Sequence, residues 1–285
     1  MSRVDERPTA SILIPTLPSP AYLDVALASV SPQARAAGAE VIVVCDGPDE
    51  ATASVARRHG ARALTLQGGR GLNVARNAGV DAARSELIVL IDHDIEAPPG
   101  WLAALLEGVR ANPGHEVFGG PIRARLEGGP RGCGREPAPI TTLEEGPEDR
   151  DVPFVWGANM AIRRSAFERI GLFDDSLSGR GDEEDWELRY RAGGGRIRYL
   201  AGAGLDHRRT GQDARLGVLT RQAYRHGREA RRHDVRVGKP RPIGTELRTL
   251  AGCAWHTVRR RCAFGIVMGA RTAGSVREAL AERRT

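Results

Sequence analysis

The sequence predicts an α/β protein with a Rossmann-like, mostly parallel sheet between helices, followed by a helical C-terminal extension. Three observations carry this reading. Strand-like and helix-like runs alternate over roughly the first 125 residues, as in a chain of βαβ units. The run Glu86-Leu87-Ile88-Val89-Leu90-Ile91 is a short apolar block rich in β-branched residues, the pattern of a strand buried on both faces. From Arg208 to Thr285 the chain carries 19 Lys+Arg against 6 Asp+Glu, a net of +13, whereas the residues before it carry 23 against 30, a net of −7. Two parts facing different partners are therefore expected, with domains over 1–210 and 211–285.

The elements follow in order. Ser11-Ile12-Leu13-Ile14-Pro15 reads as a first strand stopped by proline. A helix is expected from Tyr22 to Ala36, then a strand from Glu40 to Cys45 that ends in Asp46-Gly47-Pro48. A helix over Glu50–His59 and a strand over Ala61–Leu66 lead to the flexible turn Gly68-Gly69-Arg70-Gly71. A helix over Asn73–Ala83 precedes the apolar block, which runs into Asp92-His93-Asp94. Pro99 is placed at the start of a helix reaching Ala111, and Glu116–Leu126 is extended. Residues 127–151 are rich in Gly, Pro and charge, and read as an acceptor-side lid or a plain flexible insertion. Extended chain returns over Phe154–Ile162, with helices over Arg164–Ile170 and Glu184–Ala192 and a strand over Arg196–Leu200. Helices fill the chain from Arg215, broken near Gly238–Pro242.

Composition narrows the function classes. With 285 residues and 41% hydrophobic content, a substantial core is affordable to one large or two small domains. Cys45, Cys133, Cys253 and Cys262 show neither close pairing nor metal-type spacing, so reduced thiols and a cytoplasmic location are expected. The polar start MSRVDERPTAS does not read as a signal peptide, and no apolar run approaches the ~18 residues of a membrane span.

The chemistry-bearing residues cluster at predicted strand ends. Ligands in open α/β sheets bind beyond the carboxyl ends of the strands, where Asp46, Asp92 and Asp94 fall. Two carboxylates spaced i, i+2 at such an end suit Mg²⁺ or Mn²⁺ carried with a diphosphate. A capping turn is the plainer alternative for each aspartate. Asp46 at its rim can accept from a base imide or a ribose hydroxyl. Arg76, on the helix before the aspartate strand, can offer planar charge-assisted hydrogen bonds to a nucleotide, or lie on the surface. Gly181-Asp182-Glu183-Glu184-Asp185-Trp186-Glu187 is an acidic knot opening a helix. It reads either as macrodipole complementarity or as a general base for an acceptor hydroxyl. His207 is a structural histidine or a metal ligand.

The ordered set Ser11-Ile12-Leu13-Ile14-Pro15-Thr16, Val43-Val44-Cys45-Asp46-Gly47, Ala75-Arg76-Asn77-Ala78-Gly79, Asp92-His93-Asp94, Gly157-Ala158-Asn159-Met160-Ala161-Ile162, Gly171-Leu172-Phe173-Asp174, Glu184-Asp185 and His207 resembles the family-2 inverting glycosyltransferases. The resemblance covers about residues 10 to 208. Cys45 departs from it, standing where the family often has a second aspartate. The resemblance implies a GT-A fold and sugar transfer from a nucleotide-diphosphate donor, UDP-type favoured, to a glycan, lipid or small-molecule acceptor. It implies donor contacts from Pro15, Thr16, Asp46, Arg76, Asn77 and Asp92, and a Mn²⁺ or Mg²⁺ site at Asp94 completed by His207. It implies Asp185 as catalytic base supported by Glu184, and a sugar and acceptor pocket lined by Trp156, Gly157, Ala158 and Asn159.

A nucleotidyltransferase making nucleotide sugars is the rival enzyme, but it would want a Gly-rich basic loop after the first strand, where Pro15-Thr16-Leu17-Pro18-Ser19-Pro20 stands. A non-catalytic nucleotide- or carbohydrate-binding module would lack the need for Asp94 and Asp185. The basic tail has few aromatics for stacking, which argues against nucleic acid. Leu247, Leu250, Ala251, Ala254 and Val258 form an apolar helical stripe beside Arg259-Arg260-Arg261. That pattern suits a peripheral helix on an anionic membrane surface at its inner, cytoplasmic face, or a stripe packed against the catalytic domain or a second subunit of a homodimer.

Overall fold

The computed structural model describes residues 7–130, 133, 138–177, 182–236 and 238–282. The chain divides into two compact units. The first draws on Met1–Arg123, Leu143–Ser178 and Asp182–His207, the second on Ala124–Thr142 and Arg208–Thr285, as far as these residues are described. The second unit thus begins three residues before the expected boundary and also takes in the segment after residue 123. Leu126 and Ile140 from that segment pack on Leu216, Leu219, Ala223 and Val267.

The first unit is organised by an eight-stranded sheet. Its strands are β1 (Ser11–Thr16), β2 (Glu40–Cys45), β3 (Arg62–Thr65), β4 (Leu87–Ile91), β6 (Val117–Gly119), β8 (Arg150–Val152), β9 (Asn159–Arg163) and β10 (Ile197–Tyr199), in the order β3-β2-β1-β4-β9-β6-β10-β8. The run β3-β2-β1-β4 is parallel, while β9 is antiparallel to β4 and β6. Every residue of β1 and β4 is buried, as their unbroken apolar patterns require of central strands covered on both faces. Helices α1 (Pro20–Ala37) and α2 (Glu50–Arg58) step outward to β3, and α3 (Leu72–Ala82) returns past β2 and β1 to β4. Right-handed crossovers put a returning helix on the opposite face from the outward ones. The reversal of direction lies between β1 and β4, and at such a switch point the C-terminal strand ends of open α/β sheets leave the crevice in which ligands bind. Helix α4 (Trp101–Ala111) follows, and α5 (Arg164–Ile170) and α6 (Asp182–Ala192) complete the unit.

Several expectations shift. Strand β1 continues through Pro15 to Thr16. Its pairing with β4 stops at Leu13, so Pro15 stands where only the β2 side is paired and its missing donor costs little. Pro99 lies outside α4, whose first turn is set by Gly100 in the left-handed region with φ 88°. The extended run from 116 breaks at Gly120-Pro121 into β6 and β7 (Ile122–Glu127). A Cβ on Gly120 would lie 2.2 Å from the Ala203 carbonyl oxygen, so the break is a close backbone approach that only glycine allows. Residues 154–158 form no strand, and β9 starts at Asn159. In the 127–151 segment, Leu143 is buried and bridges to Ile122, while residues 131, 132 and 134–137, part of the expected lid, lie outside the described residues.

A three-stranded sheet orders as β5-β11-β7, with β5 Ile95–Glu96 and β11 Leu205–Thr210. It matters because β11 pairs antiparallel with β5 in a register that sets His207 opposite Ile95.

The second unit is built on α7 (Leu216–Arg236), α8 (Ile243–Arg260) and α9 (Ala263–Glu282). The sequence showed the break before α8 but not the one after it, where Arg261 takes a left-handed φ of 50°. Helices α7 and α9 touch backbone to backbone. A Cβ on Gly227 would lie 1.8 Å from the Arg271 carbonyl oxygen, and one on Gly274 would lie 2.1 Å from that of Tyr224. On α8 the stripe faces out: Leu247 and Val258 are 50% and 77% exposed, only Leu250 of the expected five is half-buried, and neighbouring Trp255, outside the stripe, is 70% exposed. No helix among the described residues is long and apolar enough to cross a membrane.

Candidate active site

The site begins where β4 ends. Its apolar residues leave the sheet at Ile91, and the next residues are the aspartates. Asp94 is buried and Asp92 half-buried. The β5–β11 register carries buried His207 alongside, with Nε2 3.1 Å from Asp94 Oδ1. Ligand atoms of Asp92, Asp94 and His207 all lie within 4.8 Å of one another. Burial raises the Asp92 pKa and the Asp94 charge raises it further, against the opposing pull of His207, Arg76 and His93. Two crowded carboxylates and an imidazole suit a divalent cation of the Mg²⁺ or Mn²⁺ type, and such a charge would hold both carboxylates ionised. From α1, Ser29 Oγ accepts from the Ala97 amide and Gln33 Oε1 from the Leu102 amide, fixing the chain that leaves the aspartates.

Neighbouring strand ends supply the rest of the rim. Thr16 closes β1, and its carbonyl accepts from the Asp46 amide at 2.9 Å. Asp46 closes β2, and its two oxygens accept from the Arg70 and Gly71 amides at 2.8 Å each. The residue thereby shapes the loop Gly68-Gly69-Arg70-Gly71, whose three glycines all have positive φ. Each carboxylate oxygen keeps a second lone pair for another donor.

Arg76 projects from α3 into a buried position. Its Nη1 donates to Asn73 Oδ1 at 3.1 Å and to Glu183 Oε2 at 3.3 Å, and the guanidinium lies over the Phe173 ring at 5.6 Å. Gly157 lies close beside it: a Cβ there would stand 2.5 Å from Arg76 Nη2 and would press on the guanidinium. The Gly157 amide donates to Glu183 Oε1.

Helix α6 divides the acidic knot by periodicity. Glu183 and Glu187, one turn apart, share a face. Glu183 meets Arg76 and Gly157, and fully buried Glu187 accepts from the Val155 amide at 2.9 Å. Burial pushes the Glu187 carboxyl well above its ordinary range, and Glu183 and Glu184 add to the rise. Asp185 is turned about 200° from Glu183. It is partly exposed and pairs with Arg189 Nε at 2.9 Å, while Arg189 also donates to the Ile170 and Leu172 carbonyls.

The model of glycosyl transferase family 2 matches residues 11–171, more than half of the chain. The chain belongs to glycosyl transferase family 2. A glucosyl-dolichyl phosphate glucuronosyltransferase of Haloferax volcanii is 24% identical over 124 residues, 40% of this chain and 38% of that protein. The chain therefore spans well under half the length of that relative. Among solved structures, the mannosyltransferase PcManGT from Pyrobaculum calidifontis, in complex with GDP-Man and Mn²⁺, matches with a TM-score of 0.64 at 16% identity, over 98% of this chain and 89% of that one. GalNAc-T7 with UDP, GalNAc and Mn²⁺ matches with a TM-score of 0.57 at 17% identity, over 79% and 48%. TarS of S. aureus matches with a TM-score of 0.55 at 16% identity, over 75% and 39%. The fold of this family member is GT-A.

Not every expected site residue presents a free side chain to the crevice. Asn77 donates to the Phe173 carbonyl and to Asp175 Oδ1 and accepts from the Phe173 amide, tying α3 to the Gly171-Leu172-Phe173-Asp174 segment. Asn159 is buried in β9, where it accepts from Trp101 Nε1 and donates to the Pro121 and Ala203 carbonyls. Ala158 is buried, whereas Trp156 is half-buried. Pro15 lies within β1 beside Val44. The sequence singled out neither Asn73, which orients Arg76 while donating to the Asp174 carbonyl, nor Glu183 as its ionic partner. Asn73 stands three residues before Arg76, a spacing that puts both on one helix face and was open to reading.

Proposed function

We propose that this protein is a metal-dependent, inverting glycosyltransferase that moves a sugar from a nucleotide-diphosphate donor to an acceptor hydroxyl. The observation that carries the reading is the convergence of Asp92, Asp94 and His207 at the C-terminal end of β4. Asp94 and His207, with Asp92, would hold Mn²⁺ or Mg²⁺, which supplies charge neutralisation to the departing diphosphate. The chain's own groups do the rest. Asp46 accepts from the base, and a uracil imide N–H suits it, favouring a UDP-type donor. Arg76 adds a fixed positive charge, with Pro15, Thr16 and Asn77 shaping the donor side. Asp185, supported by Glu184, removes the proton from the acceptor hydroxyl as it attacks the face opposite the leaving group, which inverts the anomeric centre. Trp156 and Gly157 form the wall on the sugar and acceptor side, with buried Ala158 and Asn159 fixing the backbone behind them.

The acceptor proposed is a glycan, lipid or small molecule of a bacterial-type glycan, glycolipid or glycoconjugate pathway. The outward stripe of α8 favours a lipid-borne acceptor. Leu247, Trp255 and Val258 stand exposed next to Arg259, Arg260 and Arg261, the pattern of a helix lying on anionic lipid at the cytoplasmic face of a membrane. Sedimentation with anionic liposomes should capture the protein at low salt and release it at high salt. Failure at low salt, with a dimer in solution, would assign the stripe to a second subunit.

Nucleotide sugars screened for metal-dependent binding identify the donor. With that donor, Asp94→Ala should abolish metal-dependent turnover while the fold survives, and normal turnover would remove the metal assignment. Asp185→Asn should keep donor binding and cut transfer by orders of magnitude. An active Asp185→Asn enzyme would pass the role to Glu183, the acid that faces Arg76.

A further inference from the structure

A second cluster of ligating side chains lies in the C-terminal unit, apart from Asp92, Asp94 and His207. Cys133 follows β7, His256 sits on the inner side of α8, and Cys262 joins α8 to α9. They are far apart in sequence: Cys133 and His256 are separated by 123 positions. In the folded chain Cys133 Sγ is 3.2 Å from His256 Nε2, and the two sulfurs and the imidazole nitrogen all lie within 4.8 Å of one another. Ligand atoms around a tetrahedral zinc ion, with Zn–S of about 2.3 Å and Zn–N of about 2.0–2.1 Å, stand about 3.5–3.8 Å apart. The three atoms therefore need only small rotations to share one ion.

The local backbone prepares the site. Arg261 turns the chain in the left-handed region and delivers Cys262 to the N-terminal end of α9. A thiol at a helix N-terminus is readily held as the thiolate, the form that binds metal.

We propose that Cys133, His256 and Cys262 form a binding site for a thiolate-seeking divalent ion of the zinc type, with a fourth position open to water. Two thiolates and an imidazole select such an ion over the oxygen-preferring Mg²⁺ or Mn²⁺ of the donor site. Binding releases the thiol protons to solvent, and the two thiolates balance the charge of the ion. The ion would pin the segment after β7 to the corner between α8 and α9. The inference stands independently of the glycosyltransferase chemistry.

Cobalt(II) added to the reduced, metal-stripped full chain tests it. One equivalent should bind with a thiolate-to-cobalt charge-transfer band, which the Asp92, Asp94 and His207 site cannot give, and one equivalent of Zn²⁺ should bleach it. Cys133→Ser and Cys262→Ser should each lose or sharply weaken the band, while Cys253→Ser keeps it, with far-UV circular dichroism confirming each fold. If a cysteine variant does not fold, His256→Gln reports on the same ion by a shifted and weakened band. A folded wild type without the band overturns the site, as does a band that survives both cysteine substitutions. So does a Cys133–Cys262 disulfide that forms as fast with stoichiometric Zn²⁺ as without it.

Discussion

The candidate site of the N-terminal unit and the helices of the C-terminal unit treat their charges in opposite ways. In the N-terminal unit, acids near the crevice are pushed above their ordinary range: Asp92 by burial and by Asp94, Glu187 by burial and by two neighbouring glutamates. In the C-terminal unit the ionic groups satisfy one another. Glu278 is held low by hydrogen bonds from Arg232 and Arg228, and Arg231 is held high by Glu282. The first arrangement opposes folding and stores a binding preference for cations; the second opposes nothing and joins helices. Stability in the N-terminal unit comes from its apolar sheet, where β1 and β4 are buried throughout, so it can carry the electrostatic cost at its rim. The C-terminal unit has a small apolar cluster around Leu219, Ala223 and Val267 and relies on close helix contact.

The sharpest way to break this comparison is to relieve the repulsion. Asp94→Asn should lower metal-dependent turnover by on the order of hundredfold or more, since a bound cation contributes several kcal/mol to charge stabilisation. In EDTA at neutral pH the same substitution should raise the melting temperature, because an ionised neighbour of Asp92 has been removed. A variant that lost both activity and metal-free stability would show that Asp94 is a structural turn residue.

The sequence made the N-terminal unit far more legible than the C-terminal one, and the reason is physical. Unbroken apolar strands such as Glu40–Cys45 and Leu87–Ile91 advertise their burial, and the order of motifs places Asp46 and Asp92 on one rim. Contacts made by long-range register left no such trace. His207 reaches Asp94 because β11 pairs with β5, a contact that only the family resemblance and no local pattern suggested, and Glu183 rather than Asp185 faces Arg76 because of its phase on α6. The backbone contact through Gly227 and Gly274 was equally silent, since a glycine within a helical pattern reads first as a weakness.

That contact gives the next test. Gly227→Ala puts a methyl group against the Arg271 carbonyl and Gly274→Ala against that of Tyr224. Each neighbour is backbone and cannot turn aside, so each variant should lose about 1–3 kcal/mol in denaturant unfolding, as overpacked sites do. Donor affinity per folded molecule should hold. A loss of affinity equal to the loss of stability would show that the two units do not separate these tasks.

Glu187 sharpens the contrast through pH. Its folded pKa is raised, so the folded state binds the proton more tightly than the unfolded chain does. The stability it contributes is present below the unfolded carboxylate pKa and is lost as pH rises through the higher folded value. Glu187→Gln keeps an acceptor for the Val155 amide and cannot ionise, so thermal melts across that window should show a flatter fall than in the wild type. Equal slopes in the two proteins would mean that another group sets the pH dependence.

The smallest effect is expected at the exposed end of the C-terminal ladder. Glu278 accepts from Arg228 at 2.7 Å and from Arg232 at 2.6 Å, and the Arg232 side chain is 54% exposed. An ion pair so open to water gains little Coulomb energy and must order a long side chain, so Arg232→Ala should cost about 0.2–1 kcal/mol, less at high salt. Arg231 differs although it is the next residue. Its side chain is 9% exposed, pairs with Glu282 at 2.8 Å and donates to the Arg241 carbonyl at 2.5 Å. Removing it leaves partly covered acceptors without their donor, so Arg231→Ala should cost more than Arg232→Ala and respond less to salt. A double-mutant cycle between Arg232 and Glu278 measures the coupling directly. A coupling well above about 1 kcal/mol would show the ladder to be a principal support of the C-terminal helices, and their packing through Gly227 and Gly274 would then be secondary.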